Sequence, residues 1–124
     1  MDVTLHISKE KIQGDIPLTA LHLRGWLNAQ SEEALLAEAR IAYDEGARYL
    51  LLDLAEVDTL TSAGMRAMHK VYKLFTPQEE RLKALRVKMC NAPQQVYDVL
   101  GITGFLHNIP NYETLREAVE SFKE

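Results

Sequence analysis

The chain has 124 residues with 14 basic and 18 acidic side chains, a formal charge of -4. A single domain of this length hides about two thirds of its surface on folding, so one hydrophobic core forms without staples. The acidic balance argues against nonspecific binding to nucleic acid or anionic membrane, which needs a basic face, and the lone Cys90 excludes an internal disulfide.

Val3, Leu5 and Ile7 alternate with Thr4, His6 and Ser8, the period of a half-buried strand. Gly14-Asp15 marks a turn, and Leu18 to Leu23 reads as a second strand ending at Gly25. So short a connection favours an antiparallel pair. Ser31 is placed to cap a helix with Glu32 and Glu33 in its first turn. Leu35, Ala39 and Ala42 follow at helical spacing, and Gly46 ends the pattern. Tyr49 to Leu54 is apolar apart from Asp53, as expected of a central strand covered on both faces. A short loop is predicted next, then a helix opening around Ala63. That helix carries the stripe Met65, Met68, Tyr72 and Phe75 beside a second line, Ala67, Val71 and Leu74. One line must face the sheet; the other is either partly exposed or buried against neighbouring helices.

Thr76-Pro77-Gln78-Glu79 reads as a capping box with proline at the first helical position, opening a short helix. Leu85, Val87 and Met89 alternate with Arg86, Lys88 and Cys90, a strand with one wet or loosely covered face. Asn91 is the expected cap, and Gly101 the expected end, of a helix carrying Val96, Val99 and Leu100. Phe105 to Ile109 reads as a last short strand. Asn111 is the expected cap of a terminal helix with Leu115, Ala118, Val119 and Phe122 on one face. The order predicts a single α/β domain over 1–124, a mixed β-sheet with an N-terminal antiparallel hairpin, then alternating helices and strands, flanked by helices.

Little in the chain points to catalysis. His6, His22, His69 and His107 are scattered without metal spacing, and Cys90 has no second cysteine, so no metal or cofactor is expected. There is no G-x-S-x-G elbow, P-loop or dinucleotide fingerprint. A set such as Ser62, His69 and Asp53 occurs in any chain of this size, and nothing places an oxyanion hole beside it. A non-enzymatic role is expected. The longest aliphatic and aromatic run, Tyr49 to Leu52, is too short to span a bilayer. With neither a basic nor an apolar leader at the amino terminus, a cytoplasmic location is expected.

The informative segment is Leu52-Asp53-Leu54-Ala55-Glu56-Val57-Asp58-Thr59-Leu60-Thr61-Ser62-Ala63-Gly64-Met65-Arg66. It carries Ser62 from a buried strand to a helix start, and α/β sheets put their functional loops at the carboxyl ends of parallel strands. Ser62 reads in two ways. As a cap it accepts a backbone N–H, worth about 1 kcal/mol. As a switch it takes a phosphoryl group, which a helix amino terminus tolerates and which adds roughly -1.5 to -2 charge to the surface. Gly64 serves either close approach of a partner or tight helix packing.

These residues resemble the STAS domain family, the fold of bacterial anti-sigma factor antagonists. The family's signature is an apolar strand ending in aspartate, a loop, then Asp-Ser-(Ser/Ala)-Gly opening a helix. It stands here as Leu51-Leu52-Asp53-Leu54, Val57-Asp58 and Thr61-Ser62-Ala63-Gly64-Met65. Leu23-Arg24-Gly25-Trp26-Leu27-Asn28 is similar to the loop after the second strand. Asn91-Ala92-Pro93 is similar to a later asparagine-proline turn, and Leu100-Gly101-Ile102-Thr103-Gly104-Phe105 to the family's helix-ending stretch.

The resemblance implies no catalysis, a serine phosphorylated by a partner that is both anti-sigma factor and serine kinase, and a serine phosphatase that resets it. Ser62 falls on the phosphorylated serine, with Thr61 the alternative hydroxyl standing where the family usually has aspartate. Asn28 replaces a commonly acidic loop residue, and the 77–83 insertion offers either a partner contact or extra packing. The partner surface is expected to use Trp26, Asn28, Asp58, Thr61, Ser62, Ala63, Gly64 and Arg66, with neither nucleic acid nor membrane insertion involved. Two other classes stay open: an unphosphorylated STAS subunit of a larger assembly, such as a stress-signalling complex or lipid-transport or transporter machinery, and a small-ligand or nucleotide binder.

Overall fold

The computed structural model describes residues 4–77, 86–107 and 109–123. Five strands form one sheet in the order β1 (His6–Ile12), β2 (Leu18–Leu27), β3 (Tyr49–Leu60), β4 (Val87–Cys90) and β5 (Asn111–Tyr112). β1 and β2 are antiparallel, and the remaining neighbours pair in parallel. Among the described residues four α-helices connect and cover them: α1 (Glu32–Asp44), α2 (Ser62–Phe75), α3 (Gln94–Ile102) and α4 (Leu115–Ser121). The mixed α/β class, the opening hairpin and the central place of residues 49–54 match the expectation from sequence.

The pleat of β3 divides its side chains between two cores. Leu50, Leu52 and Leu54 face the larger one, with Leu21, Leu23, Leu35, Ala39, Ala67, Met68, Val71, Phe75, Val96 and Leu100. Leu51 faces the smaller one, with Leu18, Ala20, Cys90, Ala118 and Phe122. Helices α1, α2 and α3 thus cover one face. On the other, α4 covers only part of the sheet, which has consequences for every strand.

β3 does not stop at Leu54. It runs on to Leu60, paired with β2 through Trp26↔Thr59 and Leu27↔Leu60, so the predicted loop is largely strand. Likewise β2 passes through Gly25, whose φ of +115° and whose Cα lies so close to Thr4 that a Cβ would sit 2.3 Å from the Thr4 carbonyl oxygen. Only glycine fits there. Beyond α4 the sheet faces solvent, so Asp53, Ala55 and Glu56 are polar or small for want of a cover. A register shift between His22 and Arg24 adds to the break in alternation.

Several expected boundaries move for local reasons. β1 opens at His6, one side chain after the buried Leu5, and continues through Lys9, Glu10 and Lys11, charges that suit an edge strand. Val3 and Leu85 lie outside the described residues, as do 78–83, where a short helix and most of the insertion were expected. Ser31 does not cap α1. Asn28 Oδ1 instead accepts the N–H groups of Gln30 (3.0 Å) and Ser31 (3.2 Å), capping a 3-10 turn that feeds the helix. Asn91 does not cap α3 either; it takes φ +60°, a left-handed turn that asparagine tolerates. Gly101 lies inside α3, and Gly104 (φ +76°) makes the turn after it. Residues 105–107 form a 3-10 turn rather than a strand, Asn111 belongs to β5, and Thr114 Oγ1 caps α4 through the Glu117 N–H at 3.1 Å.

The wet face expected for β4 is absent because α4 closes it. All four β4 residues are buried, and the Lys88 side chain reaches the C-terminal end of α4. Its Nζ donates to Ser121 O (3.2 Å) and Oγ (2.9 Å) and lies over the Phe122 ring at 4.5 Å.

Candidate functional site

The carboxyl ends of β2 and β3 project beyond the rest of the sheet and bring most of the predicted site residues to one end of the molecule. Thr61 ties them together. Its N–H donates to the Leu27 carbonyl (3.0 Å), its hydroxyl accepts the Gly64 N–H (3.2 Å), and its carbonyl takes the Met65 N–H (3.0 Å). Thr61 is therefore the N-cap of α2, and Ser62 is the first helical residue, not the cap. This corrects the capping role read for Ser62 and leaves its exposed side chain without that duty. Gly64 is buried, and a Cβ there would lie 2.2 Å from the Leu27 carbonyl oxygen. Tight helix packing thus accounts for this glycine.

Around this turn Asp58 and Arg66 are exposed, and Trp26, Asn28, Thr61 and Ala63 are half-buried. The Asn28 side chain is committed to its cap. Trp26, paired with Thr59 across the ladder, packs into neither core. Most of the two apolar lines of α2 merges into one buried face of Gly64, Ala67, Met68, Val71, Tyr72 and Phe75, close to the reading in which both are buried. What α2 shows to solvent is Ser62, Arg66, Lys70 and Lys73, with Met65 and Leu74 half-covered at the margins. No acidic residue occurs in α2, and Lys70 pairs with Glu32 of α1 at 3.0 Å. On a chain of net charge -4 this is a locally basic helix face. At the C-terminal end of α3, Ile102 is 86% exposed and its neighbour Thr103 contacts Met65 through Oγ1···Sδ at 3.5 Å. An apolar knob therefore stands beside the first turns of α2.

The uncovered part of the opposite sheet face holds a polar network that spacing in the sequence did not reveal. His22 Nδ1 contacts Asp53 Oδ2 at 2.7 Å, and Nε2 contacts Glu10 Oε1 at 2.7 Å. Asp53 Oδ1 also accepts from Asn91 Nδ2 and from the Ala55 N–H, each at 3.1 Å. Burial pulls the His22 pKa down, but the two carboxylates outweigh it, and the imidazole ends above 6.5. Burial pushes Asp53 up, and its three donors carry it below 3.8. The register pair His22↔Asp53 exists only once β2 and β3 lie parallel. Its one trace in the sequence is a histidine at an alternating strand position. Asp53 is thus engaged at mid-sheet, seven strand residues before Leu60, and the set Ser62, His69 and Asp53 is not assembled; the His69 ring stacks on Tyr72, centroids 5.8 Å apart. Burial, followed by the charge and hydrogen bond of Asp53, pushes the Cys90 thiol up to about 12, leaving it a core residue rather than a nucleophile.

Among the described residues no group of three or more histidine, cysteine or acidic side chains is arranged to hold a metal ion, and no helix is long and apolar enough to cross a membrane. A concavity of about 420 Å³ lies between β5 and α3, lined by Asn91, Ala92, Gln94, Tyr97, Asn111 and Glu113. It carries one acid and no base, a lining unsuited to a phosphate.

Residues 6–118 match the family model described as STAS domain. BtrV of Bordetella bronchiseptica, assigned by name to the anti-sigma factor antagonists, is 29% identical over 119 residues, covering 96% of each chain. Among solved structures, an anti-sigma factor antagonist from Mycobacterium paratuberculosis superposes with a TM-score of 0.80 at 18% identity, covering 97% of this chain and 95% of that one. The anti-sigma factor antagonist SpoIIAA in its unphosphorylated form gives 0.72 at 15% identity, with 95% and 96% covered.

Proposed function

The chain belongs to the STAS domain family, and from that premise we propose that it is an anti-sigma factor antagonist whose binding face is switched by phosphorylation of Ser62. The observation that carries this reading is the division of labour in the first turn of α2. Thr61 does the capping, and Ser62 stands exposed at the first helical position with no structural task. A phosphoryl group there meets the positive end of the helix and leaves every cap hydrogen bond in place. The names of the relatives support the partner class, an anti-sigma factor; our reading adds that this partner carries serine-kinase activity, that the unmodified domain sequesters it, and that a serine phosphatase restores the domain. The protein then acts by occupying a partner and not by catalysis.

The chemistry of the switch is a phosphoryl transfer. Ser62 Oγ attacks the γ-phosphorus of ATP held by the kinase, the bond to ADP breaks, and the hydroxyl proton leaves to the kinase's base. Thr61 is the poorer acceptor, because its hydroxyl already accepts the Gly64 N–H and lies 3.4 Å from the Leu27 carbonyl as donor. The partner face would comprise Trp26, Asn28 and Asp58 with the exposed side of Thr61, Ser62, Ala63 and Arg66; Gly64, being buried, supports it from beneath.

Incubation with the cognate kinase and ATP, followed by mass spectrometry, tests the site. Phosphate on Ser62 is expected. Modification of Thr61 alone would move the acceptor by one residue, and no modification by the cognate kinase would favour an unphosphorylated subunit of a larger assembly. Ser62→Asp should weaken kinase binding with the fold intact, less than phosphate does because it carries less charge.

A further inference from the structure

We propose, resting on the reading of Ser62 as the modified residue, that Arg66 is the intramolecular counter-ion of phosphorylated Ser62, so that modification withdraws a cation from the partner-facing surface while adding a dianion to it. Ser62 and Arg66 are both exposed and stand four residues apart on α2. Side chains at that spacing share a helix face with Cβ atoms about 5–6 Å apart, and an anion N-terminal to its cation is the favoured order. A guanidinium is the cation best shaped for two parallel hydrogen bonds to phosphate oxygens.

The surroundings leave Arg66 available for this. α2 contains no acid to compete for it. Among the described residues no hydrogen bond or ion pair engages Arg66. The charged groups on elements packed against the first turns of α2 are few. Lys70 and Glu32 neutralise each other at 3.0 Å, and Asp53 is occupied by His22 on the far face. At the end of β3 that leads into the helix, Glu56 and Asp58 are both exposed, Asp58 the nearer in the chain to α2.

The helix end offers a phosphate less than a bare amino terminus would. Thr61 already takes the Gly64 N–H through its hydroxyl and the Met65 N–H through its carbonyl. What remains is the N–H pair of Ser62 and Ala63 together with the dipole. Arg66 supplies the directional partner that Thr61 removes. The exposed first turns then change from a net charge of about +1 to about -1 on modification. Any partner that matches the unmodified face with its own acids loses its cation and meets an anion.

The test uses the full chain with phosphoserine installed at position 62 by semisynthesis, titrated by phosphorus NMR in three backgrounds: native, Arg66→Gln and Lys73→Gln. Lys73 is an exposed cation on the same helix about 16 Å further along, so its loss matches the charge change without the geometry. The second phosphate pKa, ordinarily about 6, is expected to rise by roughly 0.3 unit or more in Arg66→Gln and to stay near native in Lys73→Gln. Arg66→Lys, which keeps the charge and loses the fork, should fall between them. Equal titration in Arg66→Gln and Lys73→Gln would overturn the proposal. Because the phosphate is installed chemically, that result is separate from whether a kinase modifies Ser62, which the mass spectrum above decides.

Discussion

Thr61 and Ser62 are adjacent hydroxyls that only their hydrogen bonds tell apart. Thr61 Oγ1 holds the Gly64 N–H, and Ser62 holds no cap. Thr61→Ala should therefore cost about 0.5–2 kcal/mol in denaturant melts, the usual loss for an N-cap, while Ser62→Ala should lie within about 0.5 kcal/mol of native. The reverse ranking would return the cap to Ser62. One residue further, Gly64→Ala should destabilise by about 1–3 kcal/mol, since the new Cβ would press on the backbone oxygen of Leu27 and not on a yielding side chain. The sequence marked all three residues as a group but could not order their roles. A threonine-serine pair before a helix fits either cap assignment, and a one-residue shift in the helix start decides which hydroxyl faces the N–H groups.

At the scale of elements, His22 links three strands, with Glu10 on β1 and Asp53 on β3. Its pKa is raised in the folded state, so its contribution to stability is full below 6.5 and is lost as pH climbs through the higher folded value. Asp53 has the opposite sign: its contribution stands above 3.8 and is lost as pH falls through its lowered folded value. Urea melts across both windows should show His22→Gln flattening the alkaline slope and leaving most of the acid slope. An unchanged alkaline slope in that variant would show that the bridge contributes nothing. The sheet also depends on α4 for the cover of β4. Lys88→Ala removes the bonds to Ser121 and the contact with Phe122, and should raise amide exchange in α4 before it does so in α2.

For the whole molecule, the two cores share β3, Leu50, Leu52 and Leu54 entering one and Leu51 the other. A strand buried on both sides couples the layers, so unfolding should be a single cooperative transition. The one tryptophan, Trp26, lies at the outer end of β2, remote from α4. Its fluorescence and far-UV dichroism should give coincident urea transitions; separate midpoints would mean that the α4 layer unfolds by itself.

The sequence by itself determined the elements whose pattern matches their burial: the central strand at 49–54, apolar apart from Asp53, and the helix faces of α1 and α4. The segment Asp53 to Arg66, on which the proposed Ser62 site rests, is picked out by its order of residue types, which holds wherever the strand ends. Only the tertiary structure decided where β3 stops, that Thr61 caps α2, and that Asp53 meets His22. The physical reason is the same in each case. A half-covered sheet face leaves strand residues polar, so they read as loop, and a contact across parallel strands joins residues 31 positions apart that no local period can pair. Lys88 shows the converse: a charge that reads as wet is buried because the C-terminal end of α4, distant in the chain, supplies its acceptors.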